Sequence, residues 1–410
     1  MTPSEQLVFD LCSKSFLSLW SYANPLRPGG KELCDVLAVF GEHIVVFSVK
    51  EIVLPETETG PTEVAAERWS RKAIDESVKQ LHGALRQLAV MTQVVRSDGS
   101  PGIPLANTDA RQVHLVAVAA GGRRKVPFAG GVKDGQYVHV LDEFALREIL
   151  GELNTAPDFI EYLLAKESFP GTIVCEGEEN LLALYIHRGR KLPTEMKLLI
   201  VDGDLWTEVR AKPEFKARQE EDRISFWWDR LIELLAEGYD VPKESGPSLS
   251  EREIVVRTLA AENRFSRRFL SSAFVQWHLR KQAGARTIVS PSDASDVAYV
   301  FATCPRDWSR EHRTCELQAR CLVSRSPAVT GRRKVIGLGT EIYDPSGFSF
   351  DAVYFEKNDW TPEDEDLAKE VREKFGFLRD PICSRASADE FPDMKRKLRN
   401  KRKRERRRAR

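Results

Sequence analysis

The sequence lacks any apolar stretch close to the roughly 20 residues that a bilayer-spanning helix requires. Its longest apolar runs, at 43–49 and 113–120, are strand-sized, so a membrane is not among the expected partners. A disulfide framework is missing too: the seven cysteines are odd in number, scattered from Cys12 to Cys383, and include no CxxC pair. The N-terminus, MTPSEQLVFD, is polar and opens a helix where a leader peptide would be apolar. A reducing, cytoplasmic setting is the expectation. There is no Gly-rich nucleotide fingerprint, Ser/His/Asp triad, HExxH motif or internal repeat, and the seven histidines are not expected to cluster. Those absences set aside the common nucleotide-binding, serine-hydrolase and zinc-protease chemistries.

What is present is an ordinary globular composition, 42% hydrophobic and 30% charged over 410 residues, enough for two or three domains. The charge is less ordinary. Lys+Arg and Asp+Glu both number 62, yet residues 395–410 hold twelve of the cations and one acid, Glu405. That +11 tail leaves fifty cations against sixty-one acids elsewhere, a body at −11. Low complexity keeps the tail from building a core, and its cations, Arg402 and Arg406 among them, suit sequence-independent contact with phosphates.

Thr2-Pro3-Ser4-Glu5 reads as a capping box that opens a helix reaching Asn24-Pro25. Two β-rich runs, 33–40 and 44–50, flank Gly41-Glu42-His43 as a hairpin. A helix is expected over 62–95, because Ile74, Val78, Leu81, Leu85 and Leu88 recur at helical spacing. Strands at 113–119 and 137–141 and a helix capped by Asp142 follow. The order predicts an α/β domain over 1–155 with helices on a mixed sheet. An α+β extension is expected over 156–240, with a helix at 157–166, strands at 172–175, 181–187 and 197–202, and a helix at 224–237. A C-terminal α+β domain of undetermined role is expected over 248–385. There a Ser248 or Ser250 cap opens helix to Ala283, strands lie at 298–303, 319–323, 335–338 and 350–354, and an acidic helix covers 363–375. Residues 386–410 are expected to be a disordered basic tail.

The chemistry-bearing stretch is the hairpin. Strand alternation puts Ile44, Val46, Ser48 and Lys50 on one face and Glu51 on the other. Asp35 falls opposite Lys50 if the turn centres on Glu42-His43, and opposite Ser48 if it shifts by one pair. Either register holds Asp35 and Lys50 on one face. A carboxylate to hold Mg²⁺ (or Mn²⁺) and a lysine beside the attacking water are what metal-assisted phosphodiester hydrolysis needs.

Over residues 1–120 the segment resembles the PD-(D/E)xK, or restriction-endonuclease-like, nuclease superfamily, most closely across 31–81. The resemblance implies an αββαβ core in which an acid on the first helix precedes Asp and then Glu-x-Lys on the hairpin. Glu5 matches the first acid, although the capping box already accounts for it. Ser48 stands where the second carboxylate belongs. One subgroup of restriction endonucleases has Ser-x-Lys and takes its glutamate from the following helix; here the corresponding position is Val64, flanked by Glu63 and Glu67. Glu67 continues the apolar stripe of the helix and is the preferred replacement ligand, with Glu63 the substitute; pairing with Arg71 is the plainer role for either. Lys72, Lys79 and Gln80 on the same helix suit contacts to nucleic acid, or a solvated polar face.

Weaker patterns carry less. Cys304, His312, Cys315 and Cys321 have irregular spacing for zinc. Asp202-Gly203-Asp204 reads most simply as a hairpin turn. The cations of 121–125 could meet a phosphate backbone. The expected function is therefore a metal-dependent nuclease acting on DNA through Asp35, a helix glutamate and Lys50, with a homodimer left open. Two alternatives remain: a catalytically inactive nuclease-fold scaffold or regulatory, defence-type module, and a nucleic-acid binder that acts through its tail.

Overall fold

The computed structural model describes residues 1–54, 62–122, 130–237, 249–279, 281–292, 295–344 and 349–378. The chain forms two compact units, divided between Glu220 and Glu221.

The first unit opens with α1 (Pro3–Trp20), whose Thr2/Glu5 capping box forms as its sequence requires. The helix ends earlier than its apolar spacing suggested, because residues 21–23 leave it to form β1 (Ser21–Ala23). Strands β2 (Val36–Phe40) and β3 (His43–Glu51) form the expected hairpin, with Phe40 opposite His43. The turn is Gly41-Glu42, and Gly41 takes a φ of 63° that side chains resist. Helix α2 (Glu63–Ser70) runs through a π turn (Arg71–Asp75) into α3 (Glu76–Leu88). The expected helix to residue 95 thus stops at Leu88, and β4 (Gln93–Val95) pairs with β5 (Pro101–Pro104). The chain then supplies β6 (Gln112–Ala120), β7 (Gly131–Lys133) and β8 (Gln136–Leu141), followed by α4 (Glu143–Glu152) behind its Asp142 cap.

These strands make one mixed six-stranded sheet in the order β1-β2-β3-β6-β8-β7, parallel where β3, β6 and β8 adjoin. One face carries Phe40, Val45, Phe47 and Val116 and receives α1, with Trp20 set edge-on to Phe40 at 5.2 Å between ring centroids. The other carries Leu37, Val39, Val46 and Leu115 and receives α3 through Val78, Leu81 and Ala84. Both faces are therefore apolar, as a sheet covered on two sides demands.

Helix α5 (Ala156–Glu167), β9 (Thr172–Cys175), α6 (Glu178–His187), β10 (Leu198–Val201), α7 (Leu205–Ala211) and α8 (Pro213–Asp222) complete this part of the chain. The apolar run 181–187, expected as a strand, lies inside α6, where acidic residues at its start suit a helix N-terminus. Asp202-Gly203-Asp204 is no hairpin turn, because β10 lies parallel to β9 and leads into α7.

The second unit holds α9 (Phe226–Glu237), α10 (Leu249–Ala260), α11 (Arg264–His278), β11 (Gly284–Val289), β12 (Val297–Cys304), α12 (Arg310–Arg325), β13 (Lys334–Glu341), β14 (Phe350–Glu356) and α13 (Pro362–Phe375). The helical stretch expected to Ala283 breaks at Asn263, which caps α11. Residues 319–323, expected as a strand, belong to α12. That helix packs Leu317 and Cys321 against Ala298, Val300 and Val335 of a four-stranded sheet in sequence order. On the reverse face Trp228 and Phe274 meet Tyr299 and Phe301 edge-on. Among the described residues no helix is long and apolar enough to cross a membrane.

Candidate functional site

The hairpin register, Val36 opposite Phe47, carries on to put Asp35 level with Ser48, the second of the two arrangements the sequence allowed. Asp35 lies just before β2, where the backbone ladder stops, and its side chain takes over as acceptor: Oδ2 receives the Val49 N–H at 2.5 Å. This bond fixes a buried carboxylate at the end of the strand that carries Lys50.

Asp35 is not alone. The loop from Pro25 folds back through a Leu26–Glu32 bridge, which brings the Glu32 carboxylate into hydrogen-bond contact with that of Asp35. Both acids titrate above their ordinary values. For Glu32 the causes are burial, the hydrogen bond to Asp35 and its charge. For Asp35 burial outweighs the Val49 N–H and the nearby Lys50 ammonium. Glu5, anchored in the α1 cap, adds negative charge to both. Two carboxylates in contact beside a third acid form a hard-oxygen donor set, suited to a divalent cation that offsets their mutual repulsion.

Ser48 is buried in the position the resemblance gives to a carboxylate, and its hydroxyl donates to Gln80 Oε1 on α3 at 2.8 Å. Gln80 thereby joins the site, whereas Lys72 and Lys79 stand exposed on the π turn and α3. Glu63 and Glu67 also stand exposed on α2. The π turn closes with five residues where an α-turn has fewer, so it rotates α2 relative to α3. Trp69, five residues before Ile74, takes the inward position that a regular helix would have given Glu67, and its indole donates to the Ile52 carbonyl at 2.6 Å. Arg123, Arg124, Lys125, Arg402 and Arg406 lie outside the described residues.

A second cluster lies on the opposite face of the sheet. Contrary to expectation, three histidines converge. His114 Nδ1 and His139 Nε2 both contact Glu167 Oε1, at 2.7 and 2.9 Å, and His43 Nδ1 faces His114 Nε2 at 3.1 Å. Burial, partly offset by Glu167, depresses His139 to about 3. Burial raises Glu167, but the two imidazole hydrogen bonds outweigh it and hold the carboxyl at about 2. Among the described residues this is the group of three or more His, Cys, Asp or Glu side chains whose ligand atoms lie close enough to share a metal. Cys304, His312, Cys315 and Cys321 form no such group: Cys321 is buried against the second sheet, and His312 stacks on Trp308 at 4.0 Å.

Glu32 and the histidine cluster were not anticipated. The spacing of Glu32 three residues before Asp35 was a usable signal, but only a folded-back loop gives it meaning. Strand parity on β6 and β8 could have paired His114 with His139 once those strands were known to be neighbours.

Comparison with known proteins finds no matching family model, no matching curated protein and no matching solved structure.

Proposed function

We propose that the first unit is a divalent-metal-dependent phosphodiesterase of the restriction-endonuclease-like kind, acting on DNA. The observation that carries this reading is the Glu32–Asp35 carboxylate pair, in contact at the strand end that bears Lys50, with Asp35 held by the Val49 N–H. A mixed sheet that sets an antiparallel hairpin beside a parallel strand agrees with the element order the resemblance implies.

Asp35, Glu32 and Glu5 would hold Mg²⁺ or Mn²⁺, and the ion, when bound, supplies phosphate neutralisation and a more acidic water. The Val49 N–H holds the Asp35 carboxylate in place. Lys50, already close enough to lower the proton affinity of both acids, orients the attacking water and steadies the charge that develops on phosphate. The body of the chain is acidic, so approach of DNA relies on the basic tail to offset long-range repulsion.

A second reading has its own support. Ser48 and Gln80 form a neutral hydrogen-bonded pair where an active member of the family would place a carboxylate. That substitution fits a nuclease-fold module that binds nucleic acid without cutting it.

Purified protein, Asp35→Asn and Lys50→Ala, each incubated with Mg²⁺ or Mn²⁺ on plasmid and single-stranded DNA, separate the two readings. Cleavage by the unaltered protein alone supports the enzyme. Retained DNA binding with no cleavage by any of the three supports the binding module, and equal cleavage by all three overturns the assignment of the site.

A further inference from the structure

We propose that His114, His139 and Glu167 form a transition-metal site, with Zn²⁺ as the fitting ion, separate from the carboxylate site. Three ligand atoms from β6, β8 and the C-terminal turn of α5 lie within 4.8 Å of one another. Two imidazole nitrogens and one carboxylate oxygen are a donor set for zinc, cobalt or nickel, and they suit Mg²⁺ poorly. Three protein ligands leave a fourth position open.

The ion requires both an opening and a closing of the cluster. The nitrogens stand 2.7 and 2.9 Å from Glu167 Oε1. With metal–ligand bonds of about 2.0–2.1 Å, tetrahedral donors are about 3.3 Å apart, so the two N–O separations open by about half an ångström while the two nitrogens, within 4.8 Å of each other, settle at that same spacing. Glu167 can provide the opening, because its side chain is 23% exposed and gives the cluster a route to solvent.

The neighbours also accommodate the proton changes. Without metal, the Nδ1–H tautomer of His114 is the one that can donate to Glu167, and it leaves Nε2 to accept from a His43 Nδ1–H. With metal on Nδ1, the His114 proton would move to Nε2 and the His43 proton from Nδ1 to its own Nε2, so that His114 donates to His43 across the same 3.1 Å contact. His43 thus serves as the positioning partner that metal-bound histidines normally have. His139 is fully buried, and its Nδ1 meets no hydrogen-bond partner among the described residues. With metal on Nε2, the His139 proton would sit on Nδ1, which faces no acceptor among the described residues, so the supporting hydrogen bond of the site comes from His43 on His114 alone.

The two sites are independent. His114 is level with Val45, whereas Lys50 is level with Ala119 and its side chain lies on the other face. Asp35, level with Ser48, is three residues along the strands from the level of His114, about 10 Å, and Lys50 is five residues away, about 16 Å, both on the opposite face.

The test uses the full chain, stripped with chelator and titrated with Zn²⁺ alone by calorimetry, then with Co²⁺ followed by its visible absorption. One tight ion per chain with a tetrahedral Co²⁺ spectrum is expected, and uptake at the carboxylate site is recognised as the part that Asp35→Asn removes. Glu167→Gln and His139→Gln should each weaken binding at least tenfold, His43→Ala should weaken it by about tenfold or more, and Asp35→Asn should leave it unchanged. Because Glu167→Gln keeps an acceptor and a partly exposed position, it decides the matter if His139→Gln fails to fold. Absence of stoichiometric uptake, or equal uptake by Glu167→Gln with native circular dichroism, overturns the proposal. None of these readouts depends on nuclease activity.

Discussion

Ser48 on β3 donates its hydroxyl to Gln80 on α3 at 2.8 Å, closing the seam between sheet and helix where the resemblance would place an acid. Gln80 is the exposed partner of this pair, so changing it disturbs the core less than changing Ser48. Gln80→Glu is expected to tighten Mn²⁺ binding by about tenfold, the equivalent of roughly 1.4 kcal/mol. Calorimetry with and without Asp35→Asn checks it: the gain should vanish when Asp35 is neutralised, and a gain that persists would place the ion elsewhere.

The Asp35–Val49 bond predicts a difference between two substitutions that remove the same charge. Asp35→Ala leaves a buried N–H unpaired and should lower stability by about 1–3 kcal/mol. Asp35→Asn keeps an oxygen acceptor and should lose less. Denaturant midpoints of the two variants test this, and equal losses would mean that the bond contributes nothing. For that reason Asp35→Asn is the better choice for activity work.

The second unit has its own electrostatic signature. Glu262 is fully buried and accepts from Tyr299, Ser290 and Ser295 at 2.8, 2.8 and 3.1 Å. Burial nevertheless outweighs those hydroxyls and raises its titration point. A carboxyl raised on folding adds stability that is complete below its unfolded value of about 4.3 and disappears as pH climbs through the folded value. Melting temperatures of the unaltered protein should therefore fall relative to Glu262→Gln as pH rises from acid to neutral. Parallel curves would contradict the shift.

Two glycines test packing in opposite directions. A Cβ on Gly337 would lie 2.7 Å from Cys321 Sγ and 2.8 Å from Leu317 Cγ, so Gly337→Ala should destabilise the second unit by about 1–3 kcal/mol. Gly151, inside α4, has nothing within 4 Å of such an atom. Gly151→Ala should stabilise the first unit by about 0.5–1 kcal/mol. Thermal unfolding of both variants reads the two signs.

The hairpin was legible because strand alternation is local: it put Asp35 and Lys50 on one face under either register, and only the position of the turn remained to be found. Glu67 was not legible. Its inward phase assumed an unbroken 3.6-residue period, and the π turn at Arg71–Asp75 gave that place to Trp69. Segments 181–187 and 319–323 misled for a related reason, since a short apolar run fits a buried helix as well as a strand. The histidine cluster depends on which strands adjoin: His43, His114 and His139 come from three strands of one sheet, and neither their spacing nor their surroundings in sequence announces it.

The most direct test of the proposed function is nicking of supercoiled plasmid in Mn²⁺ by the full chain beside Asp35→Asn, Glu32→Gln and Lys50→Ala. Chelator added to the unaltered protein serves as a further arm. The account predicts metal-dependent nicking by the unaltered protein and a loss of at least a hundredfold, about 2.7 kcal/mol of barrier, in each variant. Nicking that survives all three substitutions would contradict it.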